Sequence, residues 1–159
     1  MSKLPSTSVI QYLDEQQIHY RLLPQEKATV TIEETAKQRG IRPEQMVKSI
    51  VLRDMGNQYA LACVPGDRNV DPKKVRALLN CRRMTCVSLD DVFSITGYKP
   101  GSVTPLQITT PMPVVFDTQL FNETEVTISS GDAQLGIALR CEDLRTLCQP
   151  IIASICRTN

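Results

Sequence analysis

Apolar residues first recur at helical spacing, with Val9, Ile10 and Leu13 on one side of a segment whose other side carries Gln11, Asp14, Glu15 and Gln17. A hydroxyl at Ser6 or Thr7 can accept from the free amides of a first turn, so the pattern predicts a helix ending near Gln17. Tyr20–Leu23 follows as a short strand stopped by Pro24. Thr31 is placed to cap a second helix, Glu33 and Glu34 meet the positive end of its dipole, and Gly40 closes it as a left-handed residue.

The spacing then changes to apolar runs over Val47–Arg53 and Tyr59–Val64, joined by Asp54-Met55-Gly56-Asn57, which has hairpin-loop chemistry. This hairpin is expected at the centre of the sheet. Asp71-Pro72 opens a third helix with a predicted buried stripe of Val75, Leu78 and Leu79. Ser88-Leu89-Asp90-Asp91 reads as a capping box before Val92, Phe93 and Ile95, with short strands between these helices. From Gly97 to Pro113, two glycines and four prolines rule out a regular helix or a central strand. A structured loop of that length generally binds something. Strands are predicted at Pro113–Phe116, Thr124–Ile128 and Gly136–Leu139, then a helix over Glu142–Cys148 and an apolar segment Ile151–Ile155. About six strands and four or five helices in this order predict an α+β fold with a mixed sheet rather than a doubly wound one. The absence of Gly-x-Gly-x-x-Gly and P-loop sequences removes the usual support for a dehydrogenase or a kinase.

With 159 residues, 42% of them hydrophobic, the chain is expected to form one domain over residues 1–159 with a single core. Eighteen Lys and Arg against 17 Asp and Glu exclude the strong basic field of a general nucleic-acid binder, so no DNA partner is expected and any RNA contact must be local. The adjacent pairs Lys73–Lys74 and Arg82–Arg83 are the visible candidates for phosphate contacts at a pocket mouth, although a solvated helix-end charge is the preferred reading of either pair alone. No apolar run is long enough to span a bilayer, and Met1–Pro5 lacks a signal-peptide core, so a cytoplasmic protein without a membrane partner is expected. The six cysteines, Cys63, Cys81, Cys86, Cys141, Cys148 and Cys156, show no metal-ligand spacing. They read as reduced, small hydrophobic residues, and His19 as structural, so neither a metal, a cofactor nor a cysteine nucleophile is expected.

Three features carry candidate chemistry. Strand alternation puts Lys48 on the side of Ile50 and Leu52, where an ammonium needs an anion or an acceptor; periodicity alone prefers a lysine that snorkels to solvent from the strand's first residue. Gly97-Tyr98-Lys99-Pro100-Gly101-Ser102-Val103-Thr104-Pro105 can bring backbone amides to an oxyanion or carbonyl, or can be a tight connection and nothing more. Ser129-Ser130-Gly131-Asp132 can present hydroxyls at a strand end, and taken alone reads better as a turn.

In this order, Val47-Lys48-Ser49-Ile50-Val51, then Gly97-Tyr98-x-x-Gly101-x-x-x-Pro105, then Ile128-Ser129-Ser130-Gly131 resemble the YbaK/ProX family along the length of the chain. That family contains bacterial deacylases of mischarged tRNA-Pro and is similar to the editing insertion of bacterial prolyl-tRNA synthetase. The resemblance implies a barrel-like, mixed and mainly antiparallel sheet flanked by helices, and trans-editing hydrolysis of an aminoacyl-tRNA ester. It implies catalytic roles for Lys48 and Gly101, and substrate binding by Tyr98, Ser102, Val103, Thr104, Pro105, Ser129, Ser130 and Gly131. Asp117 matches an acidic position after the preceding strand, or simply caps a turn. The implied partners are the acceptor end of a mischarged tRNA and prolyl-tRNA synthetase. The alternative is a non-catalytic regulatory domain that binds a ligand or a tRNA end with the same fold.

Overall fold

The computed structural model describes residues 7–27, 29 and 31–158. Its first half runs α1 (Ser8–Glu15), β1 (Tyr20–Pro24), α2 (Ile32–Arg39), β2 (Val47–Asp54), β3 (Tyr59–Pro65) and α3 (Pro72–Leu79). Then come β4 (Met84–Cys86), α4 (Leu89–Thr96), β5 (Val114–Asp117), β6 (Glu125–Asp132), β7 (Leu135–Arg140), α5 (Cys141–Cys148) and β8 (Ile151–Ala153). Local signals set most of these bounds. Thr7 caps α1 by accepting from Ile10 N at 3.3 Å, and Ser6 lies outside the described residues. Thr31 caps α2 at Glu34 N, Gly40 ends it at φ 69°, and Asp71 caps α3 at Lys73 N. Asp54 shapes the β2–β3 turn by accepting from Gly56 N and Gln58 N, each at 2.8 Å.

The strands form two sheets in the orders β1-β7-β6 and β4-β2-β3-β5-β8, with β3 central in the larger. Pairing is antiparallel except for β3 with β5 and β5 with β8. The architecture is thus α+β with mixed, mainly antiparallel sheets. The barrel-like expectation takes an open form: a parallel bridge between Met46 and Thr127 joins the sheets without closing them. The count exceeds the expected six strands because β4 and β8, three residues each, are edge strands too short to show alternation.

The larger sheet divides the expected single core into two clusters. Val47, Val51, Leu61, Cys63 and Phe116 pack against α1, α4, α5 and the smaller sheet, while Leu52, Ala60, Ala62, Val64 and Val115 pack against Val75 of α3. Because β3 is buried on both faces, it reads as a continuous apolar run rather than alternation, whereas the partly buried Lys48, Ser49 and Arg53 interrupt β2. Two predicted stripes are narrower than expected. Val75 is buried and Leu79 partly so, but Leu78 is 40% exposed; on α4, Val92 and Ile95 are buried while Phe93 is 59% exposed. The Ser88 hydroxyl donates to Asp91 Oδ2 instead of accepting from the helix amides, so the expected capping box does not form.

Candidate functional site

Where the sheets meet beside the Met46–Thr127 bridge, a pocket of about 440 Å³ opens. Its walls are Lys48, Ser49 and Ile50 of β2, Thr127 and Ser129 of β6, Pro100, Gly101 and Val103 of the long loop, and Thr29, Thr31, Thr35 and Arg39 from α2 and the residues before it. The structure thus brings Lys48, Gly101, Val103 and Ser129 to one cavity. Among its described lining residues the two charged ones are both cations, Lys48 and Arg39.

Lys48 shares its strand face with Ile50 and Leu52, as alternation requires, and is half-buried. Its Nζ donates to Asn69 Oδ1 at 3.2 Å, and no carboxylate lies within ion-pair reach among the described residues. Burial holds its pKa below the ordinary lysine value, with smaller opposing effects from Cys156, Asp67 and Glu33. On the opposite face Ser49 Oγ lies 3.6 Å from Cys63 Sγ.

The loop owes its shape to one tight turn: Ser102 N donates to Lys99 O at 2.9 Å around Pro100 and Gly101, and Gly101 has φ 84°. Proline second and a positive-φ glycine third are the requirements of a type II turn. A Cβ on Gly101 would meet nothing within 4 Å, so this backbone faces open space. The neighbouring residues are structural in placement. Ser102, Thr104 and Pro105 are buried off the pocket lining, with Thr104 Oγ1 lacking a hydrogen-bond partner among the described residues. Tyr98 lies in the core, its hydroxyl donates to Leu106 O, and burial pushes its pKa up to about 12.

The strand-end serines divide the same way. Ser129 lines the pocket and its Oγ accepts from Gly131 N at 3.1 Å. Ser130 is buried and donates to Leu135 O at 2.6 Å. Gly131 has φ 95° and lies so close to Tyr98 that an added Cβ would come within 3.2 Å of the ring, so the two residues seat the loop on the end of β6. Asp117 is buried away from the pocket and accepts from Gln119 N, Ile155 N and Cys156 N at 2.8, 2.8 and 3.1 Å. It is a cap and a tie to the C-terminal segment.

In the α2 wall the sequence pattern singles out only Thr31, as a helix cap, and gives no role to Thr29, Thr35 or Arg39. Arg39 Nε donates to Gln25 Oε1 at 2.8 Å, and Gln25 Nε2 donates to Thr29 Oγ1 at 3.2 Å. Thr35 spends its proton on Thr31 O at 3.0 Å, so it accepts from Thr29 and the chain of bonds runs in one direction. The Arg39 guanidinium lies over Gly136, where a side chain would collide with it, and burial lowers its pKa with no carboxylate to oppose the shift. Its terminal nitrogens have no hydrogen-bond partner among the described residues.

None of the basic pairs expected at the pocket mouth lines this pocket; Lys74 Nζ instead donates to Cys156 O at 2.8 Å. All six cysteines are free thiols, and His19 is exposed outside the pocket. Burial raises the pKa of Cys63, and takes Cys141 to about 11 and Cys148 and Cys156 to about 12, so these thiols stay protonated and un-nucleophilic near neutral pH.

The profile of the aminoacyl-tRNA editing domain matches residues 26–147, a span holding every pocket residue named above. EbsC of Enterococcus faecalis, named as a candidate Cys-tRNA(Pro)/Cys-tRNA(Cys) deacylase, is 22% identical over 126 residues, which are 79% of this chain and 77% of EbsC. A proline--tRNA ligase of Bacillus licheniformis is 33% identical over 87 residues; these cover 55% of this chain but 15% of the ligase. The same fold occurs in a solved candidate trans-editing enzyme for prolyl-tRNA synthetase, with a TM-score of 0.85 at 24% identity, over 99% of this chain and all of that one. The profile match spans well over half of the sequence, and the chain belongs to the aminoacyl-tRNA editing domain family.

Proposed function

We propose that this protein hydrolyses the ester bond of a mischarged aminoacyl-tRNA in trans, with tRNA-Pro as the substrate tRNA and prolyl-tRNA synthetase as the enzyme whose errors it corrects. The observation that carries this reading is the meeting of an unpaired ammonium, Lys48, with the open backbone at Gly101 in one pocket that contains no carboxylate, imidazole or thiol among its described lining residues. An aminoacyl ester is already activated. Its hydrolysis needs positioning and a place for developing negative charge more than a strong base or a metal.

Water adds to the ester carbonyl, the tetrahedral oxyanion collapses, and the ribose hydroxyl leaves with a proton. Lys48 holds the carbonyl oxygen or the terminal phosphate, and the Pro100–Gly101 turn lets the ribose and ester approach the backbone. Ser129 and Val103 complete the wall around the aminoacyl group; Tyr98, Ser130 and Gly131 hold that wall in place, and Ser102, Thr104 and Pro105 hold the turn. With no carboxylate, imidazole or thiol among the described lining residues and Lys48 engaged on the carbonyl oxygen or the phosphate, the proton from water passes to the substrate's own amine or ribose hydroxyl.

The test is a deacylation panel in which tRNA-Pro carrying Cys, Ala, Ser, Thr or Pro, and the cognate tRNAs of the first four, are each incubated with the protein. The expected result is hydrolysis of at least one mischarged tRNA-Pro with Pro-tRNA-Pro spared. Hydrolysis of none of them refutes the proposal.

A further inference from the structure

A second concave surface, about 720 Å³, lies between the start of α3, β4 and the C-terminal segment. Its charged lining consists of Lys73, Arg76, Arg83 and Arg157 against one carboxylate, Asp71. That carboxylate is engaged as the cap of α3, accepting from Lys73 N at 3.1 Å. All four cations are exposed, and among the described residues none of their side chains forms an ion pair or a hydrogen bond. Elsewhere on the surface Arg21, Arg42, Arg53 and Arg145 each have an acidic partner. In a chain of net charge +1, the gathering of unpaired cations in one groove is a local departure that ordinary surface solvation does not require.

The groove and the pocket share no lining residue but are linked through Asn69. Asn69 Oδ1 accepts from Lys48 Nζ at 3.2 Å, while Asn69 O accepts from Arg157 N at 2.8 Å. The rim continues through the Val70–Cys156 bridge and the bond from Asp71 N to Ile155 O at 2.7 Å. One residue therefore touches both Lys48 in the pocket and Arg157 in the groove. Three of the four cations are arginines, whose planar forks match phosphate oxygens. No aromatic side chain lines the groove, so it offers nothing for unpaired bases to stack on and suits a duplex backbone.

We propose that this groove binds the sugar–phosphate backbone of the tRNA acceptor stem while the 3′ end occupies the pocket. The identity of the RNA rests on the editing function proposed above; the basic groove itself does not. The protein is compared with a variant carrying Lys73→Gln, Arg76→Gln, Arg83→Gln and Arg157→Gln, all exposed positions. Binding of uncharged tRNA-Pro is measured from about 50 to 200 mM salt, with thermal melts and hydrolysis of a short aminoacyl-CCA ester as controls. Each duplex phosphate contact contributes about 0.9 to the log–log salt slope, so four contacts make wild-type affinity fall roughly a hundredfold over this range. The variant is expected to lose most of that slope and to show a raised KM on full-length substrate, with its melt and its turnover of the short ester unchanged. Equal affinity and slope in the two folded proteins overturn the proposal. If no mischarged tRNA is hydrolysed but the variant still loses binding of uncharged tRNA, the groove stands and the editing function falls. If both proteins hydrolyse full-length substrate with the same KM, the groove falls and the editing function stands.

Discussion

Replacing Lys48 with methionine keeps the length of the stem and removes the charge, which separates what the ammonium does for the fold from what it does for the reaction. In the fold it has one hydrogen bond, to Asn69 at 3.2 Å, and no ion pair. A long contact of this kind at a half-exposed site contributes no more than about 1 kcal/mol. Burial opposes it, since desolvation already holds the lysine pKa below its ordinary value. Lys48→Met should therefore move stability by less than about 1 kcal/mol, or roughly 2–4 °C in Tm for a chain of this size. In the reaction, a donor aimed at a developing oxyanion is worth about 3 kcal/mol, which is roughly a hundredfold or more in rate. Single-turnover hydrolysis at saturating enzyme reads that loss directly, and the substrate dependence assigns it. A fall confined to the rate constant places Lys48 on the oxyanion; a rise confined to KM places it on a phosphate held equally in ground and transition states. An unchanged rate and KM in a folded variant, or a loss that follows the melting curve, refutes the assignment.

Gly101→Ala places a side chain at φ 84° without a steric collision, so it should cost about 1–2 kcal/mol in a melt yet reduce single-turnover hydrolysis beyond what the unfolded fraction explains; a loss proportional to unfolding makes the turn purely structural. Arg39→Leu should raise KM for the ester with little change in Tm, and Gly136→Ala, which displaces the guanidinium, should reproduce that effect; unchanged KM in both removes Arg39 from substrate binding. Asp117→Ala leaves three backbone amides without their carboxylate and should cost about 3 kcal/mol or more by denaturant titration, whereas a loss below about 1 kcal/mol contradicts the tie to residues 155–156. Asp54 has its pKa lowered, chiefly by the backbone hydrogen bond with Gln58, so the stability it confers is present above its ordinary value of 3.8 and is lost as pH falls through the lower folded value. Asp54→Asn should flatten the acid limb of a Tm–pH curve, and an unaltered limb contradicts that origin.

The features legible in the sequence are those written in neighbouring residues. Thr7, Thr31, Asp71 and Gly40 act within three or four positions of themselves, and the hairpin turn is closed by Asp54 on amides two and four residues on. The α2 wall was illegible for a physical reason. An eight-residue helix with Ala36 as its buried residue shows a polar face to water or to a polar pocket with the same pattern, and only its packing over Gly136 distinguishes them.

The serines show the limit more sharply. Alternation along β6 cannot tell which of Ser129 and Ser130 meets the pocket, because the register with β7 breaks between Ser129 and Asp132. Up to Ser129, opposite Gly136, the ladder is regular, and Ser129 reaches the pocket on the same side as Thr127. Beyond it the bulge and the left-handed Gly131 turn the chain back, and Ser130 donates to Leu135 O across the turn. Two adjacent hydroxyls of the same chemistry thus receive different duties from one irregularity. That irregularity depends in turn on Gly131 leaving room for the ring of Tyr98, whose hydroxyl is fixed on Leu106 within the Gly97–Pro113 loop. The loop and the strand end are therefore a single mechanical unit, and a residue can belong to the motif that marks the site while supporting it from beneath.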